Sequence, residues 1–437
     1  MKYYLAIDIG ASSGRHIIGK VLNNKLIDTV EIYRFKNQMS FKNGHYIWGI
    51  DNLFKEIKNG IKIAIKKYKT IESMSIDTWG VDYALLDKDD NLIGDIYAYR
   101  DERTLDDIDY VHNIISFNDL YKISGTQFQT FNSLYQLIDD KRNGKLELAE
   151  TMLYIPEYLM FLLTGVKKHE YTFASTSGLL DANKKEYSKE IINKLELPNK
   201  LFNCLDRPGS IIGNFKKEII EEVEGNILVK LCATHDTASA IEGFEMENNQ
   251  IYVSSGTWSL LGVKKIKPIT SSEARCANYS NEAGPNYIRF QKNIMGMWLI
   301  QNLAKQYNLD FIELVNLAKS STFKGIYDVN DIRFQNPLDM EKEIIEYFKE
   351  NNLDYPLSKK DVINSTYHSL AKSYDIAIKE LEKITSSKYQ KIYIVGGGAK
   401  NVYMNELVKY YTNLEVIALP IEATALGNLN IQIKGDK

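Results

Sequence analysis

Tyr3-Tyr-Leu-Ala-Ile-Asp-Ile-Gly-Ala-Ser-Ser-Gly-Arg15 reads as a strand, a turn of small residues and the start of a returning strand. The apolar run Tyr3–Ile9 has the length and composition of a buried strand, and Gly10 to Gly14 suit a tight reversal. Arg15 to Val21 forms the return. The same order resumes far downstream, with Gln250 to Ser254, the turn Ser255-Gly-Thr257, and Trp258 to Val263. This weak internal duplication predicts two domains of similar fold, 1–244 and 245–437. Each opens with a hairpin whose tip is the size of a phosphate, and two such tips facing one another would hold a polyphosphate.

Between these hairpins the chain alternates strand-like and helix-like segments, which predicts an α/β architecture. Leu53, Ile57, Ile61 and Ile65 recur at helical spacing after Asp51, the expected cap. Ser73 to Asp77 and Val81 to Leu86 read as a strand pair closed by the turn Asp87 to Asn91, and residues 101 to 225 as helix-rich. Near the end, Leu370, Tyr374, Ala377 and Leu381 share one face of a long helix. The strand Lys391–Val395, the turn Gly396-Gly-Gly398 and the small-residue run Glu422 to Gly427 follow it.

Composition excludes several classes of function. With 437 residues, 44% hydrophobic and 25% charged, the chain has ample material for large cores. A formal net charge of −3 argues against nucleic acid as a partner, because phosphate neutralisation needs a clustered basic excess. No stretch reaches the roughly 18 apolar residues of a membrane span. The N-terminus enters a strand at Tyr3 without the pattern of a secretory signal, so a cytoplasmic protein is expected. The 3 cysteines, Cys204, Cys232 and Cys276, are expected to be buried thiols in a reducing compartment. The 6 histidines show no metal-ligand spacing, so any metal is expected to arrive with a nucleotide, as Mg²⁺ does.

Five segments carry candidate chemistry. In Asp8 to Arg15, small residues let backbone N–H groups converge on an anion, Arg15 adds positive charge, and Asp8 can reach a nucleotide-bound Mg²⁺ through water. A plain tight turn explains the same residues. Gly14 to Lys20 imitates a P-loop, but Val21 stands where Ser or Thr is required and the run is strand-like, so this match is rejected. Ser255 to Ser259 is a second candidate cradle, and Gly396-Gly-Gly398 would let a ring or ribose lie on the backbone. Ile76-Asp-Thr-Trp-Gly-Val-Asp82 mixes carboxylates, an aromatic plane and a glycine, as polyol recognition requires. Asp236, after the apolar run Asn226 to Leu231, falls where a strand runs into the first turn of a helix. A carboxylate there meets the positive end of the helix dipole and is held as a proton acceptor, or serves simply as a cap.

Taken in order, these segments resemble the FGGY family of carbohydrate kinases. The matching blocks are Asp8–Arg15, Ile76–Asp82, Ala98–Thr104, Gly125–Phe128, Thr234–Ser239, Ser254–Ser259, Asn293–Trp298 and Val395–Gly398. The resemblance implies an actin-like ATPase fold of two RNase H-like domains and phosphoryl transfer from Mg-ATP to a small sugar. The 1-hydroxyl of L-rhamnulose is the acceptor it implies, with L-fuculose or L-xylulose as neighbouring possibilities. It further implies Asp236 as general base, and Gly80, His235, Thr237 and Asn293 as sugar contacts. Ala11, Ser12, Ser13, Gly14, Arg15, Thr257, Gln301 and Gly397 would form the ATP site. A monomer is expected, with a homo-oligomer as the alternative. The run after Ala425 to Leu429 is shorter than the family pattern, a departure expected to bear on the packing of the second domain. Two readings from other classes compete: a non-catalytic actin-like sugar sensor or filament subunit, and a glycosidase built on paired carboxylates. The glycosidase leaves both hairpins without a role.

Overall fold

The computed structural model describes residues 1–247, 249–335, 337–419 and 422–435. By packing, the chain forms two compact units: Met1–Glu245 with Lys265–Phe290 and Glu422–Lys437, and Met246–Lys264 with Gln291–Ile421.

The first unit is built on a six-stranded sheet in the order Ile211–Gly213, Val229–Lys230, Ser73–Thr78, Lys2–Ile9, Ser13–Leu22, Lys25–Lys36. Side chains of Lys2–Ile9 alternate between two covered faces. Leu5, Ile7 and Ile9 pack with Leu53, Ile57 and Ile61 of the helix Ile50–Lys67. Tyr4 and Ala6 pack with Ala425, Leu429 and Ile433 of the helix Ala423–Lys434. Burial on both faces explains why this strand reads as a continuous apolar run. The C-terminal helix therefore belongs with the first sheet, not with the second domain whose packing its length was expected to affect.

That helix also meets a polar stripe. Ser73, Ser75 and Asp77 alternate along their strand, and Gln432 accepts from the Ser73 hydroxyl at 2.8 Å while Asn428 donates to Asp77 at 2.6 Å. A Cβ added to Gly427 would fall 1.7 Å from the Ser239 carbonyl oxygen, so only glycine lets this helix touch the helix Asp236–Glu242.

Three local expectations change. Asp51 lies inside the first turn of its helix, whose N-cap is Gly49. Ser73–Thr78 and Tyr83–Leu86 are strands but not partners: the first pairs with Lys2–Ile9, the second with Thr151–Tyr154. Only Cys232 is buried; Cys204 and Cys276 are exposed, on surface segments that spacing does not reveal.

The second unit repeats the opening hairpin as Ile251–Ser255 and Trp258–Lys265, with Lys391–Val395 and then Glu415–Leu419 added in parallel beyond the first of these. The helix Lys359–Thr385 buries Leu370, Tyr374, Ala377 and Leu381, as their spacing predicts. Among the described residues, no helix is long and apolar enough to cross a membrane.

Candidate active site

In the first unit, catalytic candidates gather at one end of the central strands. Antiparallel register sets Asp8 opposite Arg15, and parallel register sets Asp8 beside Asp77. The Arg15 guanidinium donates to Asp8 Oδ2 through Nε at 3.0 Å and Nη2 at 2.8 Å, and it also binds Glu422. Burial pushes the Asp8 carboxyl above its ordinary range, against the opposing pull of Arg15. Asp77 is driven well above the usual carboxylate range, first by burial and then by the charge of Asp8, while Asn428 holds it down. Asp77 Oδ1 is buried and has no hydrogen-bond partner among the described residues.

The hairpin tip is closed by Gly10 N–H donating to Ser13 O at 2.9 Å, and Asn37 braces it by donating to Gly10 O at 3.0 Å. Among the described residues, the Ala11 and Ser12 amides bond to no protein acceptor. Exposed, unpaired N–H groups beside a guanidinium are what an anion requires. The orphaned Asp77 oxygen beside Asp8 suits an oxygen-seeking cation such as Mg²⁺. No group of three or more His, Cys, Asp or Glu side chains among the described residues is placed to hold a metal by itself.

Asp236 opens the helix Asp236–Glu242 behind the N-cap His235. Its Oδ1 accepts from the Thr237 amide at 2.5 Å and the Thr237 hydroxyl at 3.0 Å, and lies 3.5 Å from His235 Nε2. Among the described residues Oδ2 has no donor, and about a third of the side chain (31%) is exposed. One carboxylate oxygen is thus anchored and the other is available. Gly80 sits against the histidine, since a Cβ there would meet His235 Nε2 at 3.1 Å. The structure therefore brings Gly80, His235, Asp236 and Thr237 together. The loop beneath them is pinned by Glu170, a buried carboxylate that accepts from the Thr234 amide at 3.2 Å and hydroxyl at 2.8 Å.

Trp79 and Asp82 face inward. Trp79 and Trp48 pack with ring centroids 4.1 Å apart, and both indole N–H groups donate to Asp82 Oδ2, at 2.9 and 2.7 Å. Gln136 donates to Asp82 Oδ1 at 3.1 Å, and burial raises this carboxyl to about 6. Their polar groups are spent on one another, and it is Thr78, whose amide donates to Thr234 O at 2.9 Å, and Gly80 that stand against the His235–Asp236 loop. Val81, between Gly80 and Asp82, holds φ at +70°, a strained value for a β-branched residue.

In the second unit, Thr257 occupies the tip of the repeated hairpin, closed by Gly256 N–H donating to Trp258 O at 2.9 Å. The Thr257 amide has no protein acceptor among the described residues. Beside it lies a cavity of about 530 Å³ lined by Gly256, Gln301 and Gly397, and walled by Phe311, Ile312 and Val315 of the helix Phe311–Lys319. The triple glycine divides its work. Gly396 holds φ at +85°, and a Cβ on Gly398 would fall 2.0 Å from Ser255 Oγ. Gly397 has nothing within 4 Å of its Cβ position and faces open space. An apolar wall, a bare glycine and the amide of Gln301 suit a flat heterocycle with its ribose. Asn293, on the strand Ile288–Met295, also lies in this unit.

Sequence reading missed the apolar wall, whose exposed Phe311 and Ile312 look like an ordinary helix start, and the buried Glu282 and Arg289 against His235. The motif order holds no signal for either.

Each unit's hairpin-led mixed sheet, with small-residue tips at the strand ends, defines the actin-like ATPase fold of two RNase H-like halves. The xylulose kinase from Lactobacillus acidophilus shares this fold with a TM-score of 0.83 at 16% identity, covering 100% of this chain and 89% of that one. Residues 3–243 match the FGGY family of carbohydrate kinases, N-terminal domain, and residues 251–434 its C-terminal domain. The chain is 42% identical to a rhamnulokinase of Oceanobacillus iheyensis over 98% of its own length and 92% of that protein's. It is 43% identical to a rhamnulokinase of Halalkalibacterium halodurans, over 99% and 93%. The chain belongs to the FGGY family of carbohydrate kinases and is an ATP-dependent sugar kinase.

Proposed function

We propose that this kinase is a rhamnulokinase, transferring the γ-phosphoryl group of Mg-ATP to the 1-hydroxyl of L-rhamnulose. Full-length similarity to proteins of that name supports the substrate. The observation that carries the chemistry is the Asp236 carboxylate, with Oδ1 tied to Thr237 and Oδ2 left without a donor among the described residues.

In this reading Oδ2 takes the proton of the 1-hydroxyl as its oxygen bonds to the γ-phosphorus and the bridging P–O bond to ADP breaks. Phosphoryl transfer asks the protein mainly for alignment and charge neutralisation. Gly80, His235 and Thr237 would contact the sugar, and Asn293 is assigned to it as well. Ala11, Ser12, Ser13, Gly14 and Arg15 are assigned to the phosphates, as is Thr257. Gln301 and Gly397 are assigned to the adenosine in the 530 Å³ cavity. Asp8, with Asp77 beside it, would hold Mg²⁺ through water, and the ion would neutralise charge on the phosphate oxygens. The assignment gives the general base and all sugar contacts but Asn293 to 1–244, and the adenosine to 245–437, in a cytoplasmic monomer.

The test is ADP release from Mg-ATP with L-rhamnulose, L-fuculose, L-xylulose and glycerol side by side. The proposal expects a clear preference for L-rhamnulose in kcat/KM. Preference for another ketose moves the substrate, and no sugar-dependent release sinks the kinase mechanism.

A further inference from the structure

Arg289 is fully buried on the strand Ile288–Met295, which follows the strand Ser280–Ala283 through a short turn. This hairpin clamps both ends of the helix that Asp236 opens. At the far end, the Tyr287 hydroxyl donates to Glu242 Oε1 at 2.6 Å. At the near end, Arg289 Nη2 lies 3.3 Å from His235 Nδ1. The guanidinium is itself fixed, with Nε donating to Ala283 O at 3.0 Å and Nη2 to Glu282 Oε2 at 3.1 Å.

A guanidinium donates and never accepts. Nδ1 of His235 must therefore receive the arginine hydrogen bond, and the neutral ring carries its proton on Nε2. The opposite tautomer would set an N–H of His235 against an N–H of Arg289 at 3.3 Å. The neighbouring acceptor Glu282 Oε2 is 3.5 Å away and already accepts from that arginine. Nε2 is the nitrogen facing Asp236 and Gly80. A bare Nε2 lone pair there would compete with Asp236 for the hydrogen of an incoming hydroxyl. An Nε2–H instead meets the hydroxyl oxygen and leaves its hydrogen to the carboxylate.

We infer that Glu282 and Arg289 are positioning residues for sugar phosphorylation, acting through His235 by fixing it as the Nε2–H tautomer beside Asp236. The inference rests on the kinase reading for its consequence, though not for the tautomer itself.

The experiment uses the full chain with ¹⁵N-labelled histidine. Long-range ¹H–¹⁵N spectra report the protonated nitrogen, and His235→Gln identifies the signal. The expected result is Nε2–H in the unsubstituted protein and loss of that preference in Arg289→Met. In parallel, Arg289→Met should lower kcat/KM for the sugar by about 10- to 100-fold, with KM for ATP within about twofold. Arg289→Lys, which keeps a donor, should recover part of the loss. Glu282→Gln, a milder change at the partner, carries the kinetic arm should Arg289→Met fail to fold. A proton on Nδ1 in the unsubstituted protein overturns the inference. So does Arg289→Met that folds, keeps its tautomer and keeps its sugar kinetics. Nε2–H without any sugar-dependent ADP release leaves the tautomer standing and sinks the kinase reading instead.

Discussion

Replacing Asp236 by Asn removes one proton acceptor while leaving the shape of the side chain. The geometry fixes how the amide must sit. Oδ1 receives the Thr237 amide at 2.5 Å and hydroxyl at 3.0 Å, so the carbonyl oxygen of Asn takes that place. The NH₂ group then occupies the position of Oδ2, the oxygen without a protein donor. In the proposed mechanism a donor then stands where the sugar hydroxyl needs an acceptor. Both Thr237 bonds survive, and the side chain is part-exposed, so the folding cost should stay below about 1 kcal/mol. Loss of a general base costs about 10²- to 10⁴-fold in turnover. That range corresponds to about 2.7–5.4 kcal/mol in the activation barrier. A coupled assay of ADP release gives kcat and both KM values, and thermal unfolding on the same samples shows whether the fold is intact. The expected variant unfolds within a few degrees of the parent and retains KM for ATP, with kcat reduced by at least two decades. A folded Asp236→Asn protein with near-normal kcat would refute Asp236 as the base.

Other consequences follow from particular contacts. Gly397→Val adds bulk into open space, so it should leave stability nearly unchanged and raise KM for ATP about tenfold or more, without moving KM for the sugar. Gly398→Ala should instead destabilise by about 1–3 kcal/mol in chemical denaturation, because its Cβ would fall 2.0 Å from Ser255 Oγ. Asn428→Ala strips the donor from the buried Asp77 carboxyl group, for an expected loss of about 1–3 kcal/mol in chemical denaturation. Asp82 has its folded value raised to about 6, so the stability it contributes is present below its unfolded value and is lost as pH rises through 6. Between pH 4 and 7 the parent should therefore lose about 2 kcal/mol relative to Asp82→Asn, read from urea midpoints at each pH. A flat difference would contradict the buried-carboxylate account.

Much of this molecule is legible in the sequence where structure is local. The hairpin Lys2–Ile9 and Ser13–Leu22 is set by residues adjacent in the chain, and so are its copy at Ile251–Ser255 and the helical start at Asp236. What escapes reading is decided by distant partners. Trp79 and Asp82 read as a polyol surface until Trp48 and Gln136 arrive from elsewhere and consume their hydrogen bonds. Ser73–Thr78 and Tyr83–Leu86 share a turn-like connection, yet each finds a better strand partner than the other. The C-terminal helix follows the last strand of the second sheet but packs on the first, because Asn428 and Gln432 satisfy the polar stripe there. Arg289 is an unremarkable residue in sequence, separated from His235 by more than fifty positions and joined to it only by the fold.

The central claim, transfer of phosphate to the 1-hydroxyl of L-rhamnulose, is tested most directly by the product. Purified protein, Mg-ATP and L-rhamnulose should yield ADP and one sugar monophosphate in equal amounts. Phosphorus-31 spectra should show that ester coupled to the two C1 methylene protons, with Asp236→Asn forming it at least a hundredfold more slowly. An ester coupled to a single methine proton, or ADP accompanied only by inorganic phosphate, would contradict the account.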